Sequence, residues 1–104
     1  MKSNLKKVLG MMLVASSVST MVFAADHVSS NVWRDTNNGM YRANGWVCIN
    51  DDNGNGVYHY TTARLESFWG TVYETSGRQY GTGTVHATTD YNGNNGYAKI
   101  YYGK

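Results

Sequence analysis

From residue 25 onward no run of this chain holds apolar side chains at helical spacing, and the pattern alternates instead. Residues 57–69 are the clearest case. In an extended strand Val57, His59, Thr61, Ala63, Leu65, Ser67 and Trp69 share one face, and Tyr58, Tyr60, Thr62, Arg64, Glu66 and Phe68 share the other. Trp46-Val47-Cys48-Ile49 is a shorter run of strand formers, read as a core strand, and the Asn/Asp/Gly cluster 50–56 ends it in a turn. Gly70 breaks the long run, residues 71–75 begin another, and Ser76-Gly77-Arg78 reads as a tight turn. In the stretch 79–91, Gly81, Gly83, Val85, Ala87 and Thr89 oppose Tyr80, Thr82, Thr84, His86 and Thr88. A second Asn/Gly turn at 92–96 leads into a final strand, 97–102, while residues 25–36 pattern more weakly, as a first strand or a loose arm. The expectation is an all-β fold, a small antiparallel β-sandwich or barrel of five or six strands.

The segment before this region has a different job. Lys2, Lys6 and Lys7 precede an uncharged run from Val8 to Phe23, and Val22-Phe23-Ala24 suits a signal peptidase. The run is short for a membrane-spanning helix, and Ala25-Asp26-His27 turns polar at once. Residues 1–24 therefore read as a secretory signal peptide cleaved after Ala24, and residues 25–104 as one mature, secreted domain without a transmembrane anchor.

Removing the signal also removes the basic excess. The whole chain carries +2, but residues 25–104 keep six Lys/Arg against seven Asp/Glu, a net charge of −1. Nucleic acid is excluded as a partner by that balance, since it demands a cationic footprint, and long-range attraction to anionic lipid is absent for the same reason. Aliphatic residues are sparse, so the nine tyrosines and three tryptophans are expected to supply much of the apolar area. The single cysteine, Cys48, permits no internal disulfide. It reads as a buried strand thiol, an intermolecular disulfide linking a homodimer, or a free surface thiol.

Four groups of residues invite a chemical reading. Residues 51–58 and 90–97 both start like calcium loops, yet the closing acidic position holds Thr62 or Tyr101, so hairpin turns explain them and no metal or cofactor is expected. His27, His59 and His86 are scattered, and strand surface is the expected place for His59 and His86. Glu66 and Glu74 flank a turn and could oppose each other as glycosidase carboxylates do, but Arg64 and Arg78 offer them plain ion pairs and the chain is read as a non-enzyme. The aromatic set is the most functional-looking. Tyr58, Tyr60 and Phe68 lie on one strand face, Trp69 follows, and Tyr97 and Tyr101 share a face of the last strand. They are either core packing or an exposed patch that stacks on sugar rings.

Ser76-Gly77-Arg78-Gln79 with Gly81 close behind, and the terminal Ala98-Lys99-Ile100-Tyr101-Tyr102, resemble the lactococcin 972 family of secreted bacteriocins. The resemblance covers the last third of the chain and its general layout. It implies a small β-sandwich directed at the cell-wall precursor lipid II of Gram-positive bacteria, without membrane perforation. The leading expectation is thus a secreted, bacteriocin-like antimicrobial protein that binds a cell-wall component. The competing one is a non-toxic carbohydrate- or cell-wall-binding adhesive module using the same residues.

Overall fold

A computed structural model describes residues 26–104, so the expected signal peptide, 1–24, and the expected cleavage after Ala24 lie outside the described residues. Strands β1 (His27–Asn37) and β2 (Met40–Asn50) form a long hairpin, paired without a break from Asn37↔Met40 to His27↔Asn50. The connecting turn is Asn38-Gly39, with φ of 53° and 77°. That two-residue turn is the strongest short-range hairpin signal a sequence carries, and the weak patterning of 25–36 hid it. Residues 27–37 are a full strand, not a loose arm.

Along β2 the pleat turns Ala43, Gly45, Val47 and Ile49 toward the interior, leaving Trp46 and Cys48 half-buried on the opposite face. The expectation that Trp46 belongs to the core therefore fails by one residue of register. Gly45 is required by packing: a Cβ there would lie 2.3 Å from Ile100 Cγ2 and 2.9 Å from the Asn31 carbonyl oxygen.

After β2 the chain crosses to a second sheet whose central strand is β3 (Tyr58–Glu66). The long alternating run ends at Glu66, and Ser67–Thr71 is a tight hairpin loop: the Ser67 hydroxyl accepts from the backbone N–H groups of Trp69 (3.1 Å) and Thr71 (2.9 Å). Strands β4 (Val72–Thr75) and β5 (Gln79–Thr82) then run along one side of β3, one after the other and in the same direction. Ser76-Gly77-Arg78 is thus a bulge within one interrupted strand, not the expected turn. The Ser76 N–H donates to the Ala63 carbonyl at 2.9 Å, and the Ala63 N–H donates to the Ser76 hydroxyl at 2.9 Å, which carries the ladder across the interruption.

The stretch expected to run straight from 79 to 91 instead bends between the sheets at Gly83, whose φ is 76°. Its N–H donates to Val57 O (3.2 Å), and its carbonyl accepts from the Ile49 N–H (3.1 Å). A side chain at this corner would face a left-handed backbone, which only glycine adopts at little cost. Beyond it β6 (Thr84–Thr88) joins β2, giving a first sheet β1-β2-β6, and β7 (Tyr97–Gly103) pairs with the other side of β3 from Tyr60 to Glu66. The face assignment for this stretch holds: Val85, Ala87 and Thr89 are buried, while Thr84, His86 and Thr88 are exposed.

The two antiparallel sheets close on Ala43, Val47, Ile49, Ala63, Leu65, Ala87 and Ile100, and no helix occurs among the described residues. The fold is an all-β sandwich. Its core is aliphatic, against the expectation that aromatics would fill it; Tyr41, Tyr73 and Tyr102 pack only at its margin. His59, expected at the surface, is fully buried between the sheets. Its Nδ1 lies 2.9 Å from Val57 O and its Nε2 3.0 Å from Val47 O, so the ring ties the second sheet to the first.

Candidate functional site

With the odd-numbered residues of β3 committed to the core, Tyr58, Tyr60, Thr62, Arg64 and Glu66 lie on the outer face, where Thr62 and Glu66 are themselves buried beneath their neighbours. The pairing register brings in their neighbours. Tyr60 lies opposite Tyr80 on one side, while Thr62, Arg64 and Glu66 lie opposite Tyr101, Lys99 and Tyr97 on the other. Directly opposed residues in an antiparallel pair share a face. The outer face of this sheet therefore carries five tyrosines, from three strands.

Tyr58 stacks on Tyr80 with ring centroids 5.8 Å apart and planes 18° apart, and Tyr60 meets Tyr80 edge-on at 5.7 Å. Tyr58, Tyr80 and Tyr97 are 63%, 52% and 57% exposed, which settles these three as surface residues. Tyr60 is half-buried, its ring lying against Gly103. The Arg78 guanidinium sits 4.2 Å from the centre of the Tyr60 ring. The Tyr80 phenol, and secondarily the Tyr60 phenol, hold its pKa above the ordinary guanidinium value. Arg64 lies 4.7 Å from the Tyr101 ring centre in a second cation–π contact.

Glu66 organises the other end of the face. Its nearly buried carboxylate accepts a 2.5 Å hydrogen bond from the Tyr101 hydroxyl and lies 3.4 Å from Lys99 Nζ and 3.9 Å from Arg64. Burial, reinforced by that hydrogen bond, pushes the Tyr101 phenol up to about 12. The arrangement orders the face rather than supplying an acid–base pair. Glu74 is opposite Leu65, not Glu66, and accepts instead from Asn92 Nδ2 at 3.0 Å. Adjacent positions of a strand point to opposite faces, so the two glutamates do not confront each other.

The expected patch thus separates into two parts. Tyr58, Tyr60, Tyr97 and Tyr101 share the outer face, whereas Phe68 and Trp69 lie beyond the end of β3 on the Ser67–Thr71 hairpin loop. Tyr80 and Arg78 were missing from it. They sit two residues apart, and that same-face spacing was legible, but a turn at 76–78 would have placed them elsewhere.

Other sequence candidates resolve differently. Asp51 Oδ1 accepts from the Asn53 and Asn55 N–H groups, each at 2.9 Å, and Asn92 Oδ1 accepts from the Asn94 N–H at 2.9 Å. Both calcium-like loops are turns closed by their own side chains. Among the described residues no group of three or more His, Cys, Asp or Glu side chains is placed to hold a metal ion. His27 pairs with Asp52 at the surface, and His86 lies across from Trp46 on the exposed face of the first sheet, away from His59, which is buried on the second. Cys48 is a free, half-buried thiol on the outer face of the first sheet, opposite Ser29 and Thr84. No family model, curated protein or solved structure matches this chain significantly, so the reading of its function rests on this tyrosine- and arginine-lined face.

Proposed function

We propose that the exported chain is a non-catalytic binding protein whose tyrosine/arginine face docks a cell-wall glycan, and that it acts as a bacteriocin-like antimicrobial by capturing a precursor such as lipid II of Gram-positive bacteria. The observation that carries the binding role is the ring cluster of Tyr58, Tyr60 and Tyr80 beside Arg78, held open on a rigid sheet. Flat aromatic faces accept the C–H side of a pyranose, and a guanidinium forks onto the carboxylate or phosphate such glycans carry. Strand backbones fix these groups more tightly than loops do. The bacteriocin reading draws on a second point. The two segments that resemble the family become β5 with its preceding bulge, and β7, which are the strands flanking β3 and bearing Arg78, Tyr80 and Tyr101.

The test is growth of a Gram-positive panel exposed to residues 25–104, with lipid II added as competitor, alongside retention on purified peptidoglycan. Inhibition relieved by lipid II is expected. Retention with no effect on growth would assign the face to a non-toxic adhesive module instead, and loss of both would remove the glycan reading.

A further inference from the structure

The loop that left the glycan face has its own character. Phe68 and Trp69 are 73% and 88% exposed at the apex of the β3–β4 hairpin, packed edge-to-face with ring centres 5.1 Å apart. Val72 and Tyr97, also exposed, lie on either side of Glu66 at the base of the same hairpin. From Ser67 to Tyr73 the sequence contains no charged residue. The apex is also stiff, because Ser67 is bonded through its hydroxyl to two loop N–H groups and through its own N–H to the Thr71 carbonyl at 2.8 Å.

We infer that this hairpin tip is a wedge that seats in the interface of a phospholipid bilayer, with Phe68 and Trp69 at the headgroup–acyl boundary and Tyr97 and Val72 as its shoulders. Indoles and phenols are the side chains that settle at that depth. Shape and area favour lipid over a protein partner. The tip is convex, and Phe68, Trp69, Tyr97 and Val72 at their partial exposures together offer on the order of 600 Å², short of the ~800 Å² per side of a stable protein interface. Charge fits as well. With a net charge of −1 after export, attraction to anionic lipid is not the driving force, so binding should need no acidic headgroup. Behind the tip Glu66, the carboxylate on the outer face of β3, is already matched by Tyr101, Lys99 and Arg64 and presents no repulsive charge to phosphates. With the tip seated and β3 upright, Tyr58 stands roughly 25 Å above the interface at ~3.3 Å per residue, which leaves the Tyr58–Tyr60–Tyr80 cluster clear of the bilayer while Tyr97, at the tip end of the same face, meets it.

The inference stands independently of the glycan reading, and its test keeps the two apart. Residues 25–104 are mixed with phosphatidylcholine vesicles, sedimented at low and high salt, and probed with brominated lipids that quench inserted tryptophan. The wild-type chain should sediment at both salt concentrations with quenching that Trp69→Phe removes. Phe68→Ala/Trp69→Ala should lower vesicle partitioning roughly tenfold or more. The same variant should keep its thermal midpoint and its retention on peptidoglycan. Wild-type protein remaining in the supernatant, or a double variant that sediments equally well, overturns the wedge. So does binding confined to anionic vesicles and lost in salt. If the double variant instead loses retention on delipidated, protein-bearing envelopes, the tip belongs to a protein partner and the inference also fails.

Discussion

Gly45→Ala is the most exacting check on how the two sheets meet. The added methyl would lie 2.3 Å from Ile100 Cγ2, far inside van der Waals contact, and 2.9 Å from the Asn31 carbonyl oxygen. Ile100 is fully buried and anchors β7, the strand that carries Tyr97 and Tyr101. Overpacking of this kind destabilises by about 1–3 kcal/mol. Ile100→Ala alone opens a cavity and should destabilise by about 2–5 kcal/mol. The two changes are complementary in part: the methyl added at position 45 points into the space that Ile100 vacates, while its 2.9 Å approach to the Asn31 carbonyl oxygen remains. The double variant should therefore be no less stable than Ile100→Ala by more than ~1 kcal/mol, which makes the coupling on the order of 1–2 kcal/mol. Urea unfolding followed by circular dichroism measures all four corners of the cycle, with constant m-values as the check on two-state behaviour. Additivity within ~0.5 kcal/mol, or a neutral Gly45→Ala, would refute the packing of β7 against β2.

Trp46→Ala should destabilise by about 1–2 kcal/mol, less than Leu65→Ala at about 2–5 kcal/mol, since Trp46 lies on the outer face and Leu65 in the core; the same urea assay ranks them, and the reverse order would undo the register of β2. Tyr58→Ala should leave the thermal midpoint nearly unchanged, because the ring is largely exposed, while weakening retention on peptidoglycan. The Tyr101 phenol is held at about 12, above its unfolded value near 10, so its contribution is complete below about pH 10 and is lost as pH rises through 10 to 12. Tyr101→Phe should flatten that part of the alkaline stability profile; an unchanged profile would show that burial of the Tyr101 phenol does not set it.

Much of the fold is local in origin. Side chains alternate with period two in any strand, so the faces of β3, β6 and β7 follow from residue order alone. The clustering of Tyr58 with Tyr60, and of Tyr97 with Tyr101, could be read before any tertiary contact was known. Asn-Gly pairs favour positive φ by themselves, and Asn38-Gly39 forms its hairpin turn for that reason. What alternation cannot say is which face is inner. That depends on which residues fit a gap between two sheets, and here Ala43, Ala63, Ala87 and Gly45 hold the sheets close enough that aromatic rings are displaced outward. The same tight spacing encloses His59, whose ring meets the Val47 carbonyl of β2 in the facing sheet and the Val57 carbonyl just before its own strand.

The sequence by itself determined strand character, the partition of each strand into two faces and the turns made of Asn and Gly, all of which are settled within a few neighbouring residues. Only the tertiary structure decided that 76–78 is a bulge, that Gly83 is a corner, that Tyr80 and Arg78 join Tyr58 and Tyr60, and that Phe68 and Trp69 stand apart on a tip. A glycine with positive φ serves a turn, a bulge or a corner equally well, and the choice among them is made by hydrogen-bond partners distant in the chain.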